Sequence, residues 1–163
     1  METFVIPAMR EFVKQGYEVS LICTMSDSFK EKHSGEFNLI PVDMVRGISL
    51  KEMLTKPFEF YKIFKKEKFD LVQYSTPNAA FYASIASKIA KIPVRLYCQW
   101  GIAYTGFQGL KRSIFKVVEK MVCSRSTWIE PDSHGNLDFS HAEGLYPESK
   151  GSVIWNGSAS GVD

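Results

Sequence analysis

The residues best suited to chemistry stand together in one glycine-bearing stretch, QWGIAYTGFQG, residues 99–109. Gln99 offers a carboxamide that donates and accepts, Trp100 an indole face with one N–H donor, and Tyr104 and Thr105 hydroxyls. Aromatic faces stack on sugar rings, amides bind hydroxyl or phosphate oxygens, and glycines such as Gly101 let backbone come close to a ligand. An indole cannot take a proton, so Trp100 is excluded from proton transfer. The rival reading is an ordinary strand-to-helix connection with a packed tryptophan. A second stretch, YSTPN (74–78), carries Ser75, Thr76 and Asn78 where a strand runs into a helix. Free N–H groups at such a start favour an anion, and simple capping explains the same residues equally well. A third, EPDSH (130–134), sets Ser133 and His134 at another strand end.

Other chemistries lose their main support. No P-loop, no GxGxxG and no GxSxG occurs in the 163 residues. His33, His134 and His141 lack metal spacing; His33 reads as solvated in a polar loop and His141 as surface, and no metal site is expected. Cys23, Cys98 and Cys123 are scattered, odd in number and set in apolar runs, which predicts reduced core thiols and a cytoplasmic protein. A net charge of +2 does not argue for nucleic acid. No apolar run approaches the roughly 20 residues that span a bilayer, and METFVIPAMR lacks the pattern of a secretory leader.

The elements that must position these residues follow from the apolar period. Phe4, Val5, Met9, Phe12 and Val13 recur at helical spacing, with Pro7 tolerated near the start and Gly16 closing the helix. Strands are predicted at 17–24, 37–44, 70–76, 93–100, 126–133 and 151–158, and helices over 49–68, 78–91, 109–123 and 134–146. Ser49 three residues before Glu52 is a capping-box signature, and Pro57 is expected to break or kink that helix. Strands alternating with helices argue for an α/β fold, a doubly wound, mostly parallel sheet covered on both faces. Ligands bind such sheets beyond the carboxyl ends of the strands, where all three chemical stretches fall. Such a domain normally begins with a strand, whereas this chain opens on a helix, so the usual first strand is expected to be missing or the sheet rearranged. Strands flanking that gap would expose unpaired edges, which predicts altered closure, pairing with a second copy as a homodimer, or poor solubility.

Several pieces, taken in order, resemble family 4 glycosyltransferases of the GT-B fold. Gly16, Tyr17, Glu18 and Val19 match the step from that family's first helix into its second strand. FDLVQYSTPNAAFYASIASKIAKIPVRLY is similar to its Asp-bearing strand, Pro-bearing turn and Ala-rich helix, and VVEK (117–120) to the helix glutamate before its next strand. The tail KGSVIWNGSASGVD resembles the segment leading into its interdomain hinge, in the form seen in enzymes of capsule and exopolysaccharide assembly.

The resemblance implies a Rossmann-like acceptor-side domain over 1–155 and the start of a hinge over 156–163, with Asn156, Gly157, Ser158 and Gly161 turning the chain toward a donor-binding domain that lies outside this sequence. It implies a retaining, hexosyltransferase-type enzyme that needs no metal or cofactor and moves a sugar from a nucleotide-sugar donor to a saccharide or lipid-linked acceptor. This chain alone is expected to be inactive. Gln99, Trp100, Gly101 and Tyr104 would line the cleft floor beside Ser75, Thr76 and Asn78, with Ser133 and His134 at the next strand end. Where the family often carries His-Gly after the fourth strand, this chain has Trp100-Gly101, which removes a proton carrier and leaves Gln99 and Trp100 to positioning or hydrogen-bond stabilisation of a transition state. Basic amphipathic stretches, with Lys65, Lys66 and Lys68 in one and Lys111, Arg112 and Lys116 in the other, would allow peripheral contact with the inner face of the cytoplasmic membrane. The rival from another class is a non-catalytic Rossmann-like binding module, or the membrane-recruiting subunit of a split transferase.

Overall fold

A computed structural model describes Thr3, residues 5–45, Gly47 and residues 49–157. The chain divides near residue 46 into two compact units. The first holds α1 (Val5–Lys14), β1 (Ser20–Cys23), α2 (Asp27–His33) and β2 (Asn38–Pro41). β1 and β2 pair in parallel, Ser20 opposite Asn38 and Cys23 opposite Pro41. Gly16 takes φ +88°, the left-handed turn that stops α1. One face of α1 buries Ile6 and Met9 on Phe37, with Val19, Leu21, Phe29 and Leu39 packed around them.

Helix α2 falls in the stretch that reads as a polar loop, and His33 corrects that reading. Ser26 caps α2 by accepting from the Phe29 N–H. His33 is buried at 1% exposure, its ring beside those of Phe29 and Phe37. Its Nδ1 donates to Glu36 at 2.9 Å, and Glu36 also takes a two-pronged pair from Arg10 at 2.6 and 3.0 Å. A short, polar helix carries too weak an apolar period to be read from sequence.

The second unit runs α3 (Leu50–Glu67), β3 (Leu71–Tyr74), α4 (Pro77–Ile89), β4 (Val94–Gln99), α5 (Gly109–Arg125), β5 (Trp128–Pro131) and α6 (His134–Ala142). Its strands form one parallel ladder in chain order, Leu71 opposite Val94 and Leu96 opposite Trp128. The Ser49 hydroxyl caps α3 by accepting from the Glu52 N–H at 3.3 Å. The helix runs on without a break through Pro57. Proline withdraws one N–H there, and the rest of the ladder holds.

The α/β class is as expected, with parallel strands flanked by helices, but the described strands form two ladders. Among the described residues the sixth strand is not there. At Gly151 a single bridge joins Ile129, and Ile154 to Gly157 then close a turn. A Cβ on Gly151 would lie 2.9 Å from the Tyr146 ring and 3.0 Å from the Ile129 carbonyl, so glycine is what lets the segment come this close.

α4 packs on both α3 and α5. Its small residues Ala80, Ala83, Ser84, Ala86 and Ser87 are all buried, which lets the backbones approach. Phe60 and Phe64 of α3, Tyr97 of β4, Val122 and Cys123 of α5 and Ile129 of β5 complete the core. Cys98 and Cys123 are free thiols in that core, and burial pushes Cys98 up to about 12. Among the described residues no helix is long and apolar enough to cross a membrane.

Candidate functional site

Two adjoining cavities lie at the carboxyl ends of β3 and β4. The first is a polar cleft of about 330 Å³ lined by Ser75, Thr76, Pro77, Tyr97, Trp100, Gly101, Ile102, Ala103 and Glu119. Ser75 and Thr76 arrive on the turn from β3 into α4, where Pro77 occupies the first helical turn and Thr76 makes no side-chain cap. Trp100 and Gly101 follow β4 directly, and Gly101 turns the chain at φ +88° with open space where a Cβ would stand. Trp100 keeps about a third of its surface exposed, so an aromatic face is offered beside two hydroxyls.

The second cavity, about 310 Å³, is walled almost entirely by apolar groups from α3, α4 and α5 and from the 3₁₀ turn Ala103–Gly106. Pro77, Tyr97, Ala103 and Glu119 belong to both cavities.

Glu119 enters the sequence reading only as the helix glutamate of VVEK and is given no place in the site there. It lies on the buried face of α5, between Phe115 and Cys123 one turn either way, and is 8% exposed. Tyr97 Oη donates to its Oε1 at 2.9 Å and Gln99 Nε2 at 2.7 Å. Burial raises its pKa against the pull of those two donors, so the neutral acid is favoured more than in water. A carboxyl inside an apolar helical stripe was a legible signal.

The site residues expected from sequence separate into two groups. Ser75, Thr76, Trp100 and Gly101 share the polar cleft. Gln99 is fully buried beneath it; its Oε1 accepts from Ser140 at 3.0 Å and Tyr146 at 3.4 Å, while Asp132 N–H and Asn136 Nδ2 reach its carbonyl. Its side chain reaches the lining of the cleft through the hydrogen bond to Glu119. Tyr104 and Asn78 line the apolar cavity instead. Tyr104 is buried, donates to Glu143 at 3.2 Å and carries the Arg112 guanidinium over its ring. Arg112 and Lys116 also bind Glu143, at 3.3 and 2.8 Å, and hold its carboxyl below the usual range. Asn78 Nδ2 donates to the Gly47 carbonyl at 2.7 Å.

Ser133 and His134 line neither cavity. Ser133 caps α6 by accepting from the Asn136 N–H, and His134 is exposed at its start. Gly157 comes to that turn: at φ +85°, a Cβ would stand 2.3 Å from the Asp132 carbonyl oxygen. Asn156 is exposed beside it, whereas Ser158 and Gly161 lie outside the described residues. His141 is not a simple surface residue, since its ring meets Tyr146 edge-on and its Nε2 is buried without a hydrogen-bond partner among the described residues. Among the described residues no three His, Cys, Asp or Glu side chains gather as a metal site would need.

The family described as glycosyl transferase 4-like matches residues 1–133, most of the chain. The chain belongs to that family. The capsular polysaccharide biosynthesis glycosyltransferase CapM of Staphylococcus aureus is 28% identical over 161 residues, 96% of this chain and 42% of that protein. An Escherichia coli UDP-Gal:alpha-D-GlcNAc-diphosphoundecaprenol alpha-1,3-galactosyltransferase is 28% identical over 106 residues, 64% of this chain and 26% of that protein. The chain thus spans less than half the length of either relative. Among solved structures, Acinetobacter baumannii MurG superposes with a TM-score of 0.61 at 17% identity over 95% of this chain and 41% of MurG. Glycyrrhiza uralensis UGT73P12 follows at 0.52 and 13%, over 93% of this chain and 45% of its own. These likenesses establish the fold, a Rossmann-like half of the GT-B architecture. For a member of this family, the polar cleft lies where ligands of open α/β sheets bind.

Proposed function

We propose that this chain is the acceptor-side half of a retaining glycosyltransferase that builds a surface polysaccharide, working on a saccharide carried by a lipid at the inner face of the cytoplasmic membrane. The observation that carries this reading is the cleft of Ser75, Thr76, Trp100 and Gly101 at the ends of β3 and β4. It offers an aromatic face and hydroxyl donors, which suit a sugar. The names of the relatives support the setting: one is a capsule enzyme, and the other acts on a lipid-diphosphate-linked sugar. In the reaction an acceptor hydroxyl attacks the anomeric carbon of a nucleotide-sugar. The bond to the nucleoside diphosphate breaks, and that group leaves with the electron pair and takes up the proton of the acceptor hydroxyl. Trp100 stacks on or donates to the acceptor sugar and moves no proton. Glu119 holds the carboxyl end of β4 through Gln99 and Tyr97.

The donor-binding domain supplies the other wall of the site, so this chain alone transfers nothing. Peripheral membrane contact goes through α5, where Leu110 and Val117 are 78% and 61% exposed among Lys111, Lys116 and Lys120. Each cation near an anionic surface is worth about 1 kcal/mol.

The test is sugar transfer from a set of nucleotide-sugars to lipid-linked saccharides, by the full-length protein and by this chain alone. Transfer by the full-length protein only is expected, with Trp100→Ala lowering kcat/KM for the acceptor about tenfold, the ordinary worth of one lost contact of about 1.4 kcal/mol. Transfer by the isolated chain would overturn the division of labour. Full-length protein that transfers to no lipid-linked saccharide would overturn the acceptor reading. Release from anionic vesicles at high salt checks the membrane contact.

A further inference from the structure

The apolar cavity between α3, α4 and α5 takes no part in the sugar chemistry, and an open apolar cavity is costly to leave to water. Ala80 leaves the space where α4 passes between its neighbours; Met53, Phe81, Phe115 and Val118 wall it. Leu50 and Ile114, 77% and 53% exposed, stand at its mouth. At about 310 Å³ it lies at the lower end of the size range of ligand sites, roughly 300–1,000 Å³. It shares Pro77, Tyr97, Ala103 and Glu119 with the polar cleft, so one molecule can occupy both without leaving the protein. Such a molecule is an amphiphile, oxygen-rich at one end and hydrocarbon at the other. An anionic head would meet the N-terminus of α4, where Thr76 lines the cleft and makes no side-chain cap.

We infer that this cavity holds the first units of the acceptor's isoprenoid chain, with the diphosphate and sugar following into the cleft. The inference rests on the lipid-linked acceptor proposed above and adds the seat of the chain. Glu119 marks the border where hydrocarbon gives way to polar groups. Burial raises its pKa, and its neutral form sits beside hydrocarbon at less cost than a carboxylate would.

Farnesyl diphosphate and inorganic diphosphate are titrated calorimetrically against the protein, below the concentration at which the former aggregates. Farnesyl diphosphate is expected to bind at least tenfold more tightly. Ile114→Asn changes an exposed residue at the mouth, and Val118→Trp fills the wall. Each should remove most of the tenfold advantage while leaving diphosphate binding within twofold. Circular dichroism shows whether Val118→Trp folds, and Ile114→Asn decides the matter if it does not. Equal binding of the two probes, or equal weakening of both by Ile114→Asn, would overturn the inference, as would farnesyl diphosphate binding only when embedded in vesicles. Transfer to a chain-free saccharide diphosphate separates this from the acceptor reading. If full-length protein uses that acceptor normally in Ile114→Asn and only the gain from a chain disappears, the cavity assignment stands. If it uses neither acceptor while farnesyl diphosphate still binds as described, the transferase reading fails and the cavity assignment remains.

Discussion

Gln99 and Trp100 are neighbours in sequence and opposites in the structure. Gln99 is sealed beneath the cleft with its carboxamide bonded on both sides, whereas Trp100 faces the opening. Gln99→Ala should strand the Ser140 hydroxyl and leave Glu119 with a single donor, at about 1–3 kcal/mol for each buried group left unpaired. For a chain of this size each kcal/mol is about 2–4 °C of Tm, so thermal melting should show a clear loss. Trp100→Ala should leave Tm nearly unchanged and weaken saccharide binding. Glu119→Gln tests the buried carboxyl. Its folded pKa is raised, so the stability tied to its neutral form is complete below the unfolded carboxylate range and lost as pH rises through the folded value. The amide stays neutral at every pH. The variant should therefore gain Tm over the parent at pH 7 to 8, and the gap should close as pH falls below about 4. Melting curves across pH check the sign.

Among the elements, α3 shows how local rules can survive and fail in one helix. The capping box at Ser49 forms as its spacing predicts, and Ser49→Ala should cost about 1 kcal/mol by denaturant titration. Of the break or kink expected at Pro57, the break does not occur: the helix runs on through the proline, with Phe60 and Phe64 buried beyond it. At the other end, residues 151–158 read as a strand by their apolar run, yet their main chain finds one bridge partner at Ile129. Apolar content alone does not make a strand; a neighbouring ladder must be free to receive it. Gly157→Ala adds a Cβ that would stand 2.3 Å from a backbone oxygen at a φ that side chains avoid. It should displace the 154–157 turn from Asp132 and Ser133, and the amide chemical shifts of 132–134 should report that movement.

At the scale of the whole molecule, acid should act on the two units differently. Glu36, in the first, is pulled down to about 2 by hydrogen bonds from Arg10 and then His33. A depressed carboxyl lends stability above its unfolded pKa and loses it as pH falls through the folded value. Glu119 and Glu130, in the second, are raised by burial and become easier to bury as they protonate; Glu143, lowered at the surface by Lys116, opposes them weakly. Between pH 5 and 2, amide exchange should therefore speed up in α1, α2 and β2 before it does in β3, β4 and β5. Uniform loss of protection would count against this assignment. Glu36→Gln should abolish the acid sensitivity of the first unit and lower its protection at pH 7.

By itself the sequence determined the alternation of helices and strands, the parallel class, the family and the strand ends that form the cleft. The family rests on the resemblance of several stretches to known ones, and the others on spacing along the chain: apolar periods, Ser49 three residues before Glu52, Gly16 after a helix, Ser75 and Thr76 before Pro77. It could not reveal that His33 is buried, that Gln99 points inward or that Tyr104 belongs to the apolar wall. Nor could it show that Glu119 binds Gln99 and Tyr97 from another element. The neighbours of His33 lie three or four residues away, but the other outcomes turn on which side chains meet across 20 or more residues of chain, and only the tertiary structure decides that. The apolar cavity is the clearest case. No stretch of sequence encodes it, because it is the space that Ala80 leaves when α4 passes between α3 and α5.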